Sequence, residues 1–527
     1  MPAHARPDWV SNPYRTVDQI FENNSELYVS DPERLCRDIA AAFQAKTFDD
    51  RSDYRYFIPS VQSWKCPRDI PRRTLVHFRC MIQNEQSSAY HQPFVQIRNS
   101  TSGEVRTVCG LFKHHVALEE NQMCLANSDP RSLFLVQSFK CVPVPGETQW
   151  VQDLNTLHDS ARVSTSDCTI IAHFFGSAAD GIRINEMYDI FGIVYGGNPD
   201  KAPEAVEPLH MAVYFARKRA HSHPELSFNT AELNGILHEL RYLRPTLLEF
   251  LRSFVQGDIV AAEYLLIHLL SSTYGSRDGL PIGNCSLNLI NFADRPEFAA
   301  RFKAFISEII PKARFFSLGI ATLNNARMCP KLDVESSDTE QELLPGILQL
   351  TGHTHLIIDE TTMDAGTLND AGVKNLLALQ KLATEQKMDI DYFTQQVEFA
   401  MDTPVFVLSH GRSLIECRYV VPVKPDNSYT ETVLSDDTVK VIRKYLTAAK
   451  FASYEIDEDM RKEIVDDFVE KRKTDRNMSG ILLHNQLELA RYVCISHGDK
   501  ALTSAHWNHV QMLEKERIDR MKPSINP

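Results

Sequence analysis

Leu356-Ile357-Ile358-Asp359-Glu360 reads as a buried strand running straight into two carboxylates. An apolar run without polar alternation is the pattern of a strand covered on both faces, as in a parallel sheet. Carboxylates at the end of such a strand are where nucleoside triphosphatases hold magnesium and orient a water. Those enzymes also need a glycine-rich loop ending in Gly-Lys-Ser/Thr, whose amides and lysine cradle the phosphates. No Gly-Lys dipeptide occurs in the 527 residues. Asp359 and Glu360 are therefore either acidic residues at a sheet edge with no chemistry attached, or the vestige of an ATPase body without its phosphate cradle.

Working outward, Ser286 to Ile290 reads as a strand, Glu297 to Ile310 as a helix and Phe315 to Ile320 as a strand. Leu343 to Leu350 reads as a helix or turn, and Pro404 to Leu408 as another buried strand. Strands alternating with helices predict a mostly parallel sheet. Their order matches the phosphate-loop, Walker B and sensor strands of AAA+ ATPases, with Asp359 and Glu360 as vestigial Walker-B-like residues. The loop after the first strand, Asn291-Phe292-Ala293-Asp294-Arg295-Pro296-Glu297, opposes triphosphate binding. Phe292 is bulky where backbone amides should nest, and Asp294 and Glu297 would repel phosphate.

The chain before this body divides in two. Residues 1–70 read as a polar helical lead-in, with Leu35, Ile39, Ala42 and Phe43 at helical spacing. Residues 71–200 read as an OB-like β domain with strands at Leu75 to Gln83, Phe94 to Ile97, Leu133 to Val144, Thr169 to Phe175 and Ile182 to Val194, interrupted by a polar linker near 149–167. Residues 227–425 form the AAA+-like α/β domain lacking a phosphate loop. Residues 435–527 read as a C-terminal helical domain, with helices over Asp437 to Phe451, Met460 to Lys473, Leu482 to Cys494 and Ser504 to Met521. The expected fold class is thus multidomain α/β: an OB-like barrel, a degenerate AAA+-like domain and a helical lid.

Composition narrows the function classes. A formal net charge of −13 disfavours coating nucleic acid or an anionic membrane. The longest apolar segment, near Ile259 to Leu270, carries Glu263 and His268 and is too short to span a bilayer. Eleven cysteines are scattered without a Cys-x-x-Cys pair, which fits thiols in a reducing compartment and excludes a zinc ribbon.

Other candidates are weaker. His353 and His355 would share one face of a strand and, with Asp359, could hold a metal, although satisfied histidines explain them better. His114-His115 has no partner spacing, and His238-Glu239 fails as a zincin because Tyr242 stands where a second histidine is needed. Arg217-Lys218-Arg219 and Lys471-Arg472-Lys473 read as nuclear-import signals or as solvated helix faces. Tyr90, Phe94, Phe112, Phe134 and Phe139 read as a base-stacking surface or as core. The expectation is no catalytic residue, no cofactor and no bound metal.

Several stretches together resemble the mini-chromosome maintenance (MCM) complex-binding protein family. They are Val76-His77-Phe78-Arg79-Cys80-Met81-Ile82-Gln83, Cys141-Val142-Pro143-Val144-Pro145-Gly146-Glu147, Gly257-Asp258-Ile259-Val260-Ala261-Ala262-Glu263-Tyr264-Leu265-Leu266, Leu356 to Thr361, and Val465-Asp466-Asp467-Phe468-Val469-Glu470. The linker after Trp150 is short and polar, where such proteins often carry a long insertion. The resemblance implies a nuclear, non-enzymatic partner of MCM helicase subunits that reaches chromatin through them and has neither a membrane nor a small-molecule substrate. It implies roles in MCM assembly, stability and removal from chromatin, in DNA replication and in sister-chromatid cohesion. The residues also leave open a divergent ATPase using Asp359 and Glu360, or a single-stranded-DNA-binding OB protein.

Overall fold

The computed structural model describes residues 6–49, 53–64, 69–113, 116, 118–125, 133–155, 168–196, 209–226, 229–277, 279–291, 298–333, 343–426, 429, 434–474 and 479–524. His114, His115 and the segment from Phe292 to Glu297 lie outside these residues. Two compact units form, one from residues 1–145 and 152–220, the other from 146–151 and 221–527.

The first unit is built on a closed barrel of five strands: β1 (Leu75–Glu85), β2 (Phe134–Pro143), β3 (Ile170–Phe175), β4 (Met187–Tyr195) and β5 (Leu209–Lys218). Their order is β1-β4-β5-β3-β2, and β2 pairs back with β1 to close the ring. All neighbours are antiparallel except β3 and β5. Alternation places Val76, Phe78, Cys80 and Ile82 of β1 inside, with Phe174, Ile190, Met211 and Val213. The outer wall is also apolar, because Phe191, Ile193, Tyr214 and Phe215 pack under Val17, Phe21, Leu35, Ile39 and Phe43 of the N-terminal helices. In β1 the residues between Val76, Phe78 and Cys80 are His77 and Arg79, buried as well because they are paired with Asp189. Gly192 sits at a register shift in β4, and a Cβ there would come within 2.2 Å of the Ala212 carbonyl oxygen.

The strand β5 is absent from the sequence reading, and its discovery corrects the reading of Arg217-Lys218-Arg219. Arg217 and Lys218 end a strand rather than facing solvent from a helix, and Arg219 is buried. Lys471 and Arg472, by contrast, lie on the helix Glu458–Thr474. Arg219 belongs to a charge cluster on the barrel wall. Asp189 accepts from Arg79 Nε at 2.9 Å and Arg219 Nη1 at 2.7 Å, with His77 Nε2 at 3.2 Å. Burial works against the Asp189 charge, but Arg219, Arg79 and His77 override it and hold the carboxyl well below the usual range. Ile182 to Glu186 precede the strand rather than forming it, and Gln149–Asn155 is a short helix where a polar linker was expected.

The second unit contains a five-stranded, wholly parallel sheet: β6 (Leu287–Ile290), β7 (Ala313–Ser317), β8 (His355–Asp359), β11 (Val405–Leu408) and β12 (Tyr419–Pro422), ordered β7-β8-β11-β6-β12. Between β8 and β11 the chain makes a hairpin, β9 (Lys387–Asp391) and β10 (Gln396–Ala400). One sheet face carries Leu287, Leu289, Ile357, Phe406 and Leu408 against the helices Ile259–Leu270 and Phe298–Ile309. The other carries Leu356, Ile358, Val405 and Val407 against the helix Asp370–Glu385 and the hairpin. The C-terminal helices share the first of these cores through Ile442, Tyr445, Leu489, Trp507 and Val510. Leu343–Leu344 is a short strand paired with Lys331–Leu332, not a helix. The helix Ile259–Leu270 is buried on nearly every side, capped by Asp258, whose carboxylate is also gripped by Arg520 of the last helix. No single described helix is long and apolar enough to cross a membrane.

Removing one partner of a buried ion cluster leaves the others uncompensated, so Asp189→Ala is expected to cost about 3–5 kcal/mol in urea unfolding. Because the native pKa is depressed, the stabilisation is present above the unfolded carboxylate range and lost as pH falls through the native value. A variant as stable as the wild type at pH 7 contradicts this.

Candidate functional site

The carboxyl edge of the parallel sheet is where open α/β sheets present their chemistry, at the point where strand order reverses. Here β6 is that point, with β11 on one side and β12 on the other. Asp359 ends β8 and Glu360 follows it. The ladder continues past the strand: Leu318 N–H donates to the Asp359 carbonyl at 2.8 Å, and Glu360 N–H to the Leu408 carbonyl at 2.9 Å. The backbone of the acidic pair is therefore zipped to both neighbours.

The side chains are equally committed. Asp359 Oδ1 accepts from the Thr361 amide at 2.9 Å and the Thr361 hydroxyl at 2.6 Å, closing a tight turn on itself. Glu360 is 8% exposed, and its Oε1 accepts from Ser413 Oγ at 2.9 Å. Burial raises the Glu360 pKa, an effect opposed by the Ser413 hydroxyl and the Leu414 and Ile415 amides. In the adjacent strand, Ser409 Oγ lies 3.0 Å from both Asn288 Oδ1 and the Gly411 carbonyl. Among the described residues at this edge, Asp359 Oδ1, Glu360 Oε1 and Ser409 Oγ each have a local partner. Among the described residues no group of three His, Cys, Asp or Glu side chains could hold a metal.

The two histidines before this strand go elsewhere. His355 opens β8 and Asp359 closes it, a separation of roughly 13 Å along a strand, so they cannot ligate one ion. His353 lies outside the strand at φ 61°, with Nδ1 2.7 Å from Asp402 Oδ2. His355 is buried, with Nε2 3.0 Å from Lys450 Nζ and Nδ1 3.3 Å from His268 Nε2. His268 Nδ1 in turn lies 2.9 Å from the Cys285 carbonyl. One protonation pattern satisfies the row: Lys450 donates to His355, His355 to His268, and His268 to the carbonyl. Burial depresses both imidazoles, His268 to about 4 and His355 well below its ordinary value, and brings Lys450 down to about 8. Another lysine, Lys312, is fully buried and donates to Thr351 Oγ1 at 2.8 Å and the Gly352 carbonyl at 2.6 Å. The sequence reading missed both lysines. Lys450 was findable, since it extends the apolar helical row of Val439, Ile442 and Leu446 by four residues.

The five aromatics proposed for base stacking divide differently. Phe112 is buried against Phe175 and Tyr214 at 4.5 and 4.8 Å, Phe139 meets Phe174 at 5.5 Å, and Phe94 stacks on Phe21 at 5.3 Å. Phe134 packs at the edge of the same core, and Tyr90 alone of the five is exposed. They form no stacking surface.

Comparison with known proteins gives a family model described as mini-chromosome maintenance replisome factor, matching residues 44–173 and 198–521. The chain belongs to this family. A Danio rerio protein called mini-chromosome maintenance complex-binding protein is 27% identical across 97% of this chain and 97% of its own length. The Homo sapiens protein of that name is 25% identical across 98% of each. The Arabidopsis thaliana protein of that name is 33% identical over 53% of this chain and 47% of its own. The human alignment spans 650 positions against 527 residues here, so that relative carries insertions this chain lacks.

A raised Glu360 pKa means the folded chain holds the proton more tightly than the unfolded chain. The associated stability is present at low pH and lost as pH rises through the native value. Glu360→Gln keeps a carbonyl acceptor for Ser413 and is permanently neutral. It is expected to raise the thermal midpoint at pH 7, with the gain shrinking toward pH 4; a lower midpoint at pH 7 contradicts the assignment.

Proposed function

We propose that this protein is a non-enzymatic binding partner of MCM helicase subunits. Family membership over most of the chain supports the partner, since the relatives are named for binding the MCM complex. The observation that carries the non-enzymatic reading is the local commitment of Asp359, Glu360 and Ser409 at the sheet edge. The absent Gly-Lys dipeptide supports it independently.

The architecture supports a mechanism of mimicry. A five-stranded barrel whose only parallel pair is β3 with β5 is compatible with the OB type. In chain order the parallel sheet runs 5-1-4-3-2, as in AAA+ bodies, with the acidic strand fourth along it and next to the edge strand. An OB-like barrel whose last strand runs to Lys218, a degenerate AAA+-like body (227–425) and helices after 435 repeat the layout of an MCM subunit. A copy of that layout presents subunit-like surfaces yet supplies no working ATP site, so it occupies a neighbour's place in an inactive or open assembly. In this reading the protein acts in the nucleus and governs MCM assembly, stability and removal from chromatin, with a role in sister-chromatid cohesion. It meets chromatin through its partner.

The test is reconstitution of the full chain with purified MCM subunits, followed by gel filtration. A discrete co-eluting complex containing individual subunits, formed equally with and without ATP, is expected. No co-elution with any subunit overturns the reading.

A further inference from the structure

The hairpin β9–β10 carries an aromatic side chain that its own fold does not use. Met388 and Ile390 of β9 and Phe399 of β10 face the core against Leu379 and Leu382. Phe393, in the connecting turn, is 68% exposed and sits at φ 67°. A bulky residue in the left-handed region costs on the order of 1–2 kcal/mol, so an exposed phenylalanine is the wrong residue for stability there. The conformation is imposed locally. Phe393 N–H donates to Asp391 Oδ1 at 2.9 Å, Tyr392 N–H to the Gln395 carbonyl at 3.0 Å, and Thr394 N–H to the Tyr392 carbonyl at 2.8 Å.

The stem below is rigid. All five residue pairs from Lys387–Ala400 to Asp391–Gln396 are in register. At the neck, the buried Gln386 side chain donates to the Thr403 carbonyl at 2.9 Å and accepts from the Thr403 amide at 2.7 Å, tying the two ends together. On the flank, Lys381 bridges Asp389 and Glu398, and Lys387 also holds Glu398. A preorganised aromatic at the end of a stiff stem loses little freedom on association, which is the character of an interface anchor.

We propose that Phe393 is an anchor that inserts into an apolar pocket on a protein partner. Charge favours protein over nucleic acid: residues 388–400 contain no Lys, Arg or His, and of their acids Asp389 and Glu398 are paired with Lys381 and Lys387 while Asp391 lies two residues before Phe393. Such a surface offers no cation to a phosphate backbone and suits a pocket with an uncharged or basic rim. The identification of the partner as an MCM subunit rests on the reading under Proposed function.

The experiment compares the full-length wild type, Phe393→Gly, Phe393→Ala and Phe393→Tyr for thermal stability and for affinity to each purified MCM subunit. Glycine adopts the left-handed conformation freely, so Phe393→Gly is expected to unfold at the same or a higher temperature while binding at least about tenfold more weakly. Phe393→Ala should weaken binding comparably and Phe393→Tyr should restore it. Wild-type binding with undiminished affinity in Phe393→Gly overturns the anchor while leaving the MCM reading intact. Absence of wild-type binding to every subunit overturns both. Binding of a single-stranded oligonucleotide that depends on Phe393 overturns the choice of a protein partner.

Discussion

The register of β8 between β7 and β11 fixes where the acidic pair of the second unit lies. It sets Asp359 and Glu360 at the carboxyl edge of a parallel sheet, and hydrogen bonds to Leu318 and Leu408 hold their backbone there. A working triphosphatase leaves such carboxylates facing open space for a cation and a water. In this chain one closes a turn on Thr361 and the other is buried under Ser413. The Asp359 bonds are local to its turn, whereas the Glu360 bond reaches a residue 53 positions on and ties two loops of the sheet edge together.

Much of this was legible in the sequence, for a clear reason. The strands of the parallel sheet are short apolar runs with turn-forming neighbours, and Leu356 to Ile358 and Val405 to Leu408 announce themselves. Two elements were not so plain. Strand β5, Leu209–Lys218, closes the barrel yet is apolar on both faces, so period-two alternation is lost and Met211, Ala212 and Ala216 dilute its β character. The helix Gln149–Asn155 looks like linker because its anchor is distant: Trp150 donates to the Ile310 carbonyl at 3.2 Å and stacks under Arg443 at 4.4 Å.

The candidate site was half legible. Asp359 and Glu360 were identifiable from residue type and position, but Thr361 becomes a partner only through a local turn and Ser413 only through the pairing of the strands that precede the two residues. The hairpin that carries Phe393 was present in the sequence as alternation, Met388 and Ile390 on one side of a turn and Val397 and Phe399 on the other. Buried charge was the least visible. Arg79, Asp189 and Arg219 are 110 and 30 residues apart along the chain, and only strand pairing brings them together.

A non-enzymatic role requires that the sheet edge does not turn over nucleotide. Calorimetric titration of the full-length protein with magnesium-ATP, coupled to a phosphate-release assay, tests it directly. No heat of binding and no phosphate release above the uncatalysed rate are expected. Saturable binding with turnover that disappears in Asp359→Asn would contradict it.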